Sequence, residues 1–394
     1  MKKITILLLI AALIPALMQC SQRENPVDAA GGSSGQFWNL AFDSQAISGD
    51  IMLSNPGREV LVYTPPGYDE ADSTTEYPVL YLLHGYGMNQ NLFKALFSLG
   101  EIMDELINTG QIEPMIVVTP DASNKLGGSF YTNSPEFGGQ SFAGNFRDYI
   151  TDEVVPLVDS IFHTVPDREH RGIGGHSMGG YGAVKIGMLR NDLFGSISSM
   201  SGPLAFMGAY PDTTNPYALG FLSLMQAMLD ENGFVPGDTS SFYSVSRGPD
   251  KPLTNKVFAM GAAFSPHDPA DPDTTYAHFF TVPGFAGHVD LPFDVNGDLV
   301  MSLWSLWMAN DDLTLFEGGY SSVFANTDLY IDCGDADDFL FQYQALAFYE
   351  AASDVTDYFE IYSGYDDLFQ ADHVTYISER LREVVMFHDQ AFNQ

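Results

Sequence analysis

The stretch RGIGGHSMGGYGAVKIGML, residues 171–189, joins a short apolar run to a glycine-punctuated helical pattern, with Ser177 at the joint. Gly175-His176-Ser177-Met178-Gly179 reads G-x-S-x-G. In the nucleophile elbow of that pattern a strand turns sharply into a helix. The serine takes a strained backbone conformation and its Oγ stands above the sheet. The residues two before and two after it must lack bulk for the turn to close, which is the expected use of Gly175 and Gly179. Gly180 and Gly182 are expected to let the helix, beginning near Met178, pack close to its neighbours. The Met178 N–H, at the helix start, is then placed to meet a developing oxyanion. The plain alternative is a glycine-rich turn without chemistry, and the flanking chain decides between the two.

Seven short apolar runs read as strands: 58–64, 78–84, 114–120, 171–176, 195–200, 327–332 and 358–362. Several show no polar alternation, as expected of strands buried on both faces. Helical patterns lie between them. Over 145–162, Phe146, Tyr149, Ile150, Val154, Leu157, Val158 and Ile161 recur at helical spacing, and Pro156 is expected to kink that helix. This alternation predicts an α/β fold, a mostly parallel twisted sheet flanked by helices. Residues 203–325 break the rhythm, with two helical pieces, GFLSLMQAMLDE (220–231) and DLVMSLWSLWMAN (298–310), in a Pro-, Gly-, Asp- and aromatic-rich segment. An irregular segment this long predicts a functional, cap-like insertion. Trp304 and Trp307, with Phe279, Phe280 and Phe285, fit either a pocket lining or the insertion's own core.

A serine of this kind needs a base and an acid, and in this type of fold they follow it in the order acid, then histidine. Of nine histidines only His373 and His388 follow the acidic run IDCGDADDFL, residues 331–340. His388 lies well inside the terminal helical pattern. His373, in FQADHVTYISERL (369–381), lies in the loop before it, where an imidazole can reach over the sheet. The strand at 327–332 delivers CGDAD to the same edge, and spacing alone leaves Asp335, Asp337 and Asp338 open as the acid that orients the imidazole. The strand at 78–84 ends in His84-Gly85, so the N–H of Tyr86 supplies the second half of an oxyanion hole. His84 is expected to order that loop.

Together, VLVYTPPGYDE, YPVLYLLHGYG, GGSFYTNSPEFG, FRDYITDEVVPLVD, RGIGGHSMGGYGAV, IDCGDADDFL and ADHVTYISERL resemble the esterase D-like family of α/β-hydrolases. That family includes S-formylglutathione hydrolases, feruloyl and acetylxylan esterases and mycolyltransferases. The resemblance covers roughly 58–200 and 327–390 and implies an α/β-hydrolase fold with serine ester chemistry and no cofactor. It matches Ser177 to the nucleophile, the N–H groups of Met178 and Tyr86 to the oxyanion donors, and His373 to the base. It matches Asp337, three residues past Gly334 and followed by Asp-Phe-Leu, to the acid. Many relatives have glycine before that histidine. Here it is Asp372, which either raises the pKa of the base or faces solvent. Asp332, Asp335 and Asp338 read as solvated acids.

The bulk composition narrows the function further. Among 394 residues there are 51 acids and 16 bases, a formal charge of −35. No basic stripe exists to neutralise phosphates, which argues against nucleic acid as a partner. Such a field repels anions at low salt and suits a salty environment, where it is screened. The two cysteines, Cys20 and Cys333, imply no disulfide framework. MKKITILLLIAALIPALMQC (1–20) has the basic start and short apolar run of a secretory signal. Cys20 is the expected lipidation site, although Gln19 stands where a small residue is usual. Residues 21–36 read as a flexible tether and 37–394 as the hydrolase domain. The run DVNGDLVMSLWS (294–305) begins like a calcium loop, with Asp294, Asn296 and Asp298. Leu299 and Ser305 occupy the positions that need Gly and Glu, so it reads as an Asn-Gly turn before a helix. His267, His278 and His288 lack zinc-site spacing, and no metal is expected. The expectation is an exported serine ester hydrolase acting on small or polysaccharide-linked acyl or feruloyl esters, touching membrane only through a lipid anchor. An acyltransferase and a non-catalytic binding lipoprotein are the competing readings.

Overall fold

The runs VLYLL and IVVTP carry no polar alternation because both faces are covered. Strands β3 (Val79–Leu83) and β4 (Ile116–Pro120) are buried at every residue. In the computed structural model, which describes residues 33–72, 74–207, 220–272, 277–279, 288–365 and 369–394, they lie within an eight-stranded sheet. Its other strands are β1 (Gln36–Asp43), β2 (Gly57–Thr64), β5 (Arg171–His176), β6 (Ser196–Met200), β7 (Asp328–Gly334) and β8 (Tyr358–Tyr362). The order is β1-β2-β4-β3-β5-β6-β7-β8. β1 and β2 pair antiparallel, as do β2 and β4, and the remaining pairs are parallel. Residues 1–20, expected to be a secretory signal, with Cys20, lie outside the described residues, as do Phe280, Phe285 and the side chain of Phe279.

All seven expected strands form, with ends shifted by two residues at most. β1 is an addition. Gly35 N donates to Asp104 Oδ1 at 2.8 Å and Asn108 Nδ2 donates to Ser33 O at 2.7 Å. Residues 33–36, read as tether, are therefore fixed to the domain. The pleat sends alternate strand residues into two cores. Tyr81, Ile173 and Ile197 join one. Leu80, Leu82 and Tyr330 join the other, beside Phe93 and Phe97.

The helix over 145–162 forms in three pieces rather than as one kinked rod. Phe146–Asp148 is α-helical, Tyr149–Val154 is π-helical and Val155–Ile161 is α-helical again. The Val155 N–H bonds Ile150 O, five residues back. Pro156 has no N–H to give, and widening the preceding turn accommodates it at the start of the new helix. Helix α1 (Met178–Leu189) follows β5 directly and is buried along almost its whole length.

The described part of the insertion is more helical than its composition suggests. Both expected pieces form, as α2 (Phe221–Glu231) and α4 (Met301–Met308). Between them lies α3 (Pro252–Phe264), which the sequence reading missed. Residues Val257 to Phe264 are all buried, so no polar face marks the helical period there. Trp304 and Trp307 are buried and stack on one another. Trp307 Nε1 donates to Ser265 Oγ at 2.7 Å and its ring meets Phe264 edge-on, so both tryptophans belong to the insertion's core. At 294–298 the Asp294 carboxylate accepts from the amides of Asn296 and Asp298, closing a turn with Gly297 at φ 82°. The chain ends in α5 (Ile377–Phe392), packed on the second core through Leu381 and Val384.

Candidate active site

β5 ends at His176 and α1 begins at Met178, so a single residue makes the turn. Ser177 makes it with φ 58° and ψ −120°, a region that residues with a Cβ avoid. Its N–H donates to Met200 O at 2.9 Å and its carbonyl accepts from Tyr181 N at 3.1 Å, which hold it there. A Cβ on Gly179 would lie 1.9 Å from Leu83 O, and one on Gly175 would lie 2.5 Å from the Gly179 carbonyl carbon. A Cβ on Gly180 or Gly182 would strike Ser199 or Tyr131. Each of these glycines is therefore required by close approach.

His373 sits in the turn between β8 and α5, as expected. Its Nε2 is 2.8 Å from Ser177 Oγ and its Nδ1 is 2.6 Å from Asp337 Oδ2. An ionised carboxylate only accepts, so Nδ1 carries the proton and the Nε2 lone pair accepts the serine hydroxyl. Burial alone would push the Asp337 carboxyl up. The His373 ring and its hydrogen bond, with the amides of Phe339 (2.8 Å) and Phe341 (3.4 Å), hold it below the usual carboxylate value. Asp335 and Asp338 are exposed, so of the three aspartates left open by spacing only Asp337 meets the imidazole.

Asp332 corrects the reading of that run. It is buried, accepts from Arg380 Nε at 2.8 Å and from Tyr330 OH at 2.6 Å, and faces the α5 side of the sheet. Its place inside β7, rather than in the loop beyond, removes it from solvent. Asp372 spends its carboxylate on the amides of Val374 and Thr375, at 3.0 and 2.8 Å, and so shapes the turn that carries His373.

Two kinds of neighbour were not anticipated. The His176 Nε2–H donates to His373 O at 2.8 Å and its ring lies 4.8 Å from that of His373. Burial, with His373 alongside, pushes its pKa down to about 3, so it stays neutral. Phe339 and Phe341 set their edges against the His373 ring at 4.8 and 5.5 Å. Both kinds of neighbour have a place in the motifs themselves, the x of G-x-S and the Phe that follows the acid run.

Tyr86 follows β3. Its neighbours Gly87 and Met88 donate to Gly127 O and Gly85 O, whereas the Tyr86 N–H has no acceptor among the described residues. Met178, first in its helix, has no intrahelical acceptor for its N–H. Tyr86, Ser177 and Met178 line one cleft. His84 bonds Gly85 O and accepts from Ala122 N, both at 2.9 Å, and so braces the loop. The insertion supplies part of the cleft wall, Phe221 and Leu224 from α2 and Lys256 and Met260 from α3. Among the described residues no three His, Cys, Asp or Glu side chains are grouped to hold a metal ion. The arrangement can draw the proton from Ser177 Oγ, stabilise the resulting imidazolium and offer two amides to an oxyanion.

Comparison with known proteins places the chain in a family. The family described as "Putative esterase" matches residues 55–377. The chain is 30% identical over 244 residues to an esterase of Mycobacterium tuberculosis, covering 60% of this chain and 47% of that one. It is 37% identical over 145 residues to an endo-1,4-beta-xylanase/feruloyl esterase of Xylanibacter ruminicola, covering 36% and 19%. The chain thus spans less than half the length of either relative. Among solved structures it superimposes on a ferulic acid esterase with TM-score 0.55, 18% identity and coverage of 91% and 99%. It superimposes on an S-formylglutathione hydrolase from Agrobacterium tumefaciens with TM-score 0.54, 18% identity and coverage of 91% and 96%. At that identity the likeness speaks for the α/β-hydrolase fold alone. The match over residues 55–377, most of the chain, shows that this protein belongs to the esterase family.

Proposed function

We propose that the protein is a serine carboxylic-ester hydrolase working through an acyl-enzyme, with Ser177, His373 and Asp337 as its triad. The observation that carries the reading is the continuous line from Ser177 Oγ through His373 to Asp337, at 2.8 and 2.6 Å, on a strained serine facing a cleft. Ser177 Oγ attacks the ester carbonyl as His373 Nε2 takes its proton. Asp337 keeps Nδ1 protonated and stabilises the imidazolium. The N–H groups of Met178 and Tyr86 bind the tetrahedral oxyanion. His373 then protonates the departing alcohol, and a water activated by the same nitrogen releases the acid.

The substrate class we propose is an acyl or feruloyl ester, small or polysaccharide-linked. The aromatic and aliphatic cleft wall supports it, as does the relative named a feruloyl esterase. We also propose export, with Cys20 lipidated, on the strength of residues 1–20. Palmitate labelling that disappears in Cys20→Ser tests the anchor, and labelling that persists contradicts it. The activity is tested with 4-nitrophenyl esters of rising chain length and methyl ferulate. Turnover of at least one is expected, reduced at least ~10⁴-fold in Ser177→Ala. No turnover of any, together with no labelling by a fluorophosphonate, would sink the reading.

A further inference from the structure

Cations are scarce in this chain, 16 against 51 acids, and most of the described arginines pair with carboxylates, as Arg58, Arg171, Arg190 and Arg380 do. Lys256 and Arg247, both from the insertion, make no hydrogen bond or ion pair among the described residues. Lys256 projects from α3 into the cleft that holds Ser177. Its Nζ lies 3.6 Å from the centroid of the Phe339 ring, and that ring stands edge-on against His373. Arg247 has a buried Nε without an acceptor, and its charge acts on Tyr86, on the cleft wall.

A cation drawn out of water among apolar side chains is costly unless something pairs with it. A ring face recovers part of that cost, and a carboxylate would recover more. Among the described residues the fold gives the lysine on this cleft wall no carboxylate within ion-pair distance, which leaves the pairing to the ligand. The chain's overall negative field does not oppose this at working salt. Exposed charges beyond about 8–10 Å are screened there, while a contact inside the cleft is screened far less. Burial pushes the Lys256 pKa down to about 8, against the pull of Asp337, Asp338 and Glu231, so the side chain is mostly charged at pH 7.

Resting on the hydrolase reading above, we propose that Lys256, assisted by Arg247, makes this cleft selective for esters that carry an anionic group, such as a carboxylate, beyond the ester itself. The group can sit on the acyl or the alcohol side, and two matched pairs of substrates separate these. Mono-4-nitrophenyl adipate against 4-nitrophenyl hexanoate places the charge on the acyl side. 4-Acetoxybenzoate against its methyl ester places it on the alcohol side. The readout is the ratio of kcat/KM, anionic over neutral, for the full purified chain at 150 mM salt and pH 7.

The wild type is expected to favour the anionic member of one pair about tenfold, chiefly through KM. Lys256→Met is expected to erase that ratio and Lys256→Arg to restore most of it. Arg247→Gln should lower the ratio about threefold and gives a second reading if Lys256→Met does not fold. Equal or poorer use of both anionic esters by the wild type, with the neutral esters turned over, overturns this proposal and leaves the hydrolase reading intact. A preference that survives both Lys256→Met and Arg247→Gln overturns it too. If none of the four esters is turned over, the hydrolase reading fails and this proposal falls with it.

Discussion

Two histidines in this fold each meet serine hydroxyls at hydrogen-bond distance, and only one of them has what ester chemistry needs. His373 touches Ser177 at 2.8 Å and Asp337 at 2.6 Å beside an open cleft. His388, on α5, touches Ser196 at 2.7 Å and Ser198 at 2.9 Å on the sheet and is wholly buried. Among the described residues the second cluster has no carboxylate, and its serines lie inside a regular strand. Burial alone pushes the His388 pKa down to about 3. A serine–histidine contact is therefore weak grounds for catalysis. The third group that fixes the tautomer, the strained turn that lifts the hydroxyl, and access to a cleft make the difference.

The comparison is broken most directly at the serines. Ser177→Ala should cost at least ~10⁴-fold in turnover, while Ser196→Ala and Ser198→Ala should stay within about threefold and lose about 1 kcal/mol of stability each. Steady-state kinetics with denaturant melts separates the two outcomes, and a large activity loss at Ser196 or Ser198 alone would invert the assignment. Next come the aspartates of one ten-residue run. Asp337→Asn should lower kcat about 10³–10⁴-fold, because the imidazole then loses its tautomer control. Asp335→Asn and Asp338→Asn, both exposed, should stay near wild type. Asp332→Asn should spare kcat and instead cost about 3 kcal/mol in urea unfolding, since it strands a buried Arg380. Glu360, 2.8 Å from the same guanidinium, limits that loss.

The last contrast is in the acid limb of stability and leaves turnover untouched. The unfolded-state pKa of His388 is near 6.5 and the folded value is about 3, so the unfolded chain binds its proton first. The neutral ring's contribution is fully present above about pH 6.5 and is lost as pH falls towards 3. His388→Leu should flatten stability against pH over that window. An unchanged slope in the leucine variant would place the acid sensitivity elsewhere.

Much of the centre was legible because its physics is local. Strands buried on both faces announce themselves as continuous apolar runs, and the elbow needs glycines at fixed offsets, so β3 to β7 and Ser177 could be read directly. Features set by distant contacts were harder. β1 alternates along QFWNLAFD, but it is an edge strand continuous with a polar segment, and only pairing with β2 defines it. α3 is buried nearly all round, which erases the polar stripe that marks a helix. Asp332 looked solvated because four aspartates crowd one short run. Its partner, Arg380, is 48 residues away, on the helix that covers that face of the sheet. His176 is legible only as a position in the turn, because its bond to the His373 carbonyl depends on a loop nearly 200 residues further on.

The most direct test of the central claim is the site of fluorophosphonate modification, read by intact-mass and peptide mass spectrometry of the purified chain. One adduct is predicted, on the peptide that carries Ser177, absent in Ser177→Ala and strongly slowed in His373→Ala and Asp337→Asn. No adduct, or an adduct on another serine that persists in Ser177→Ala, contradicts the account.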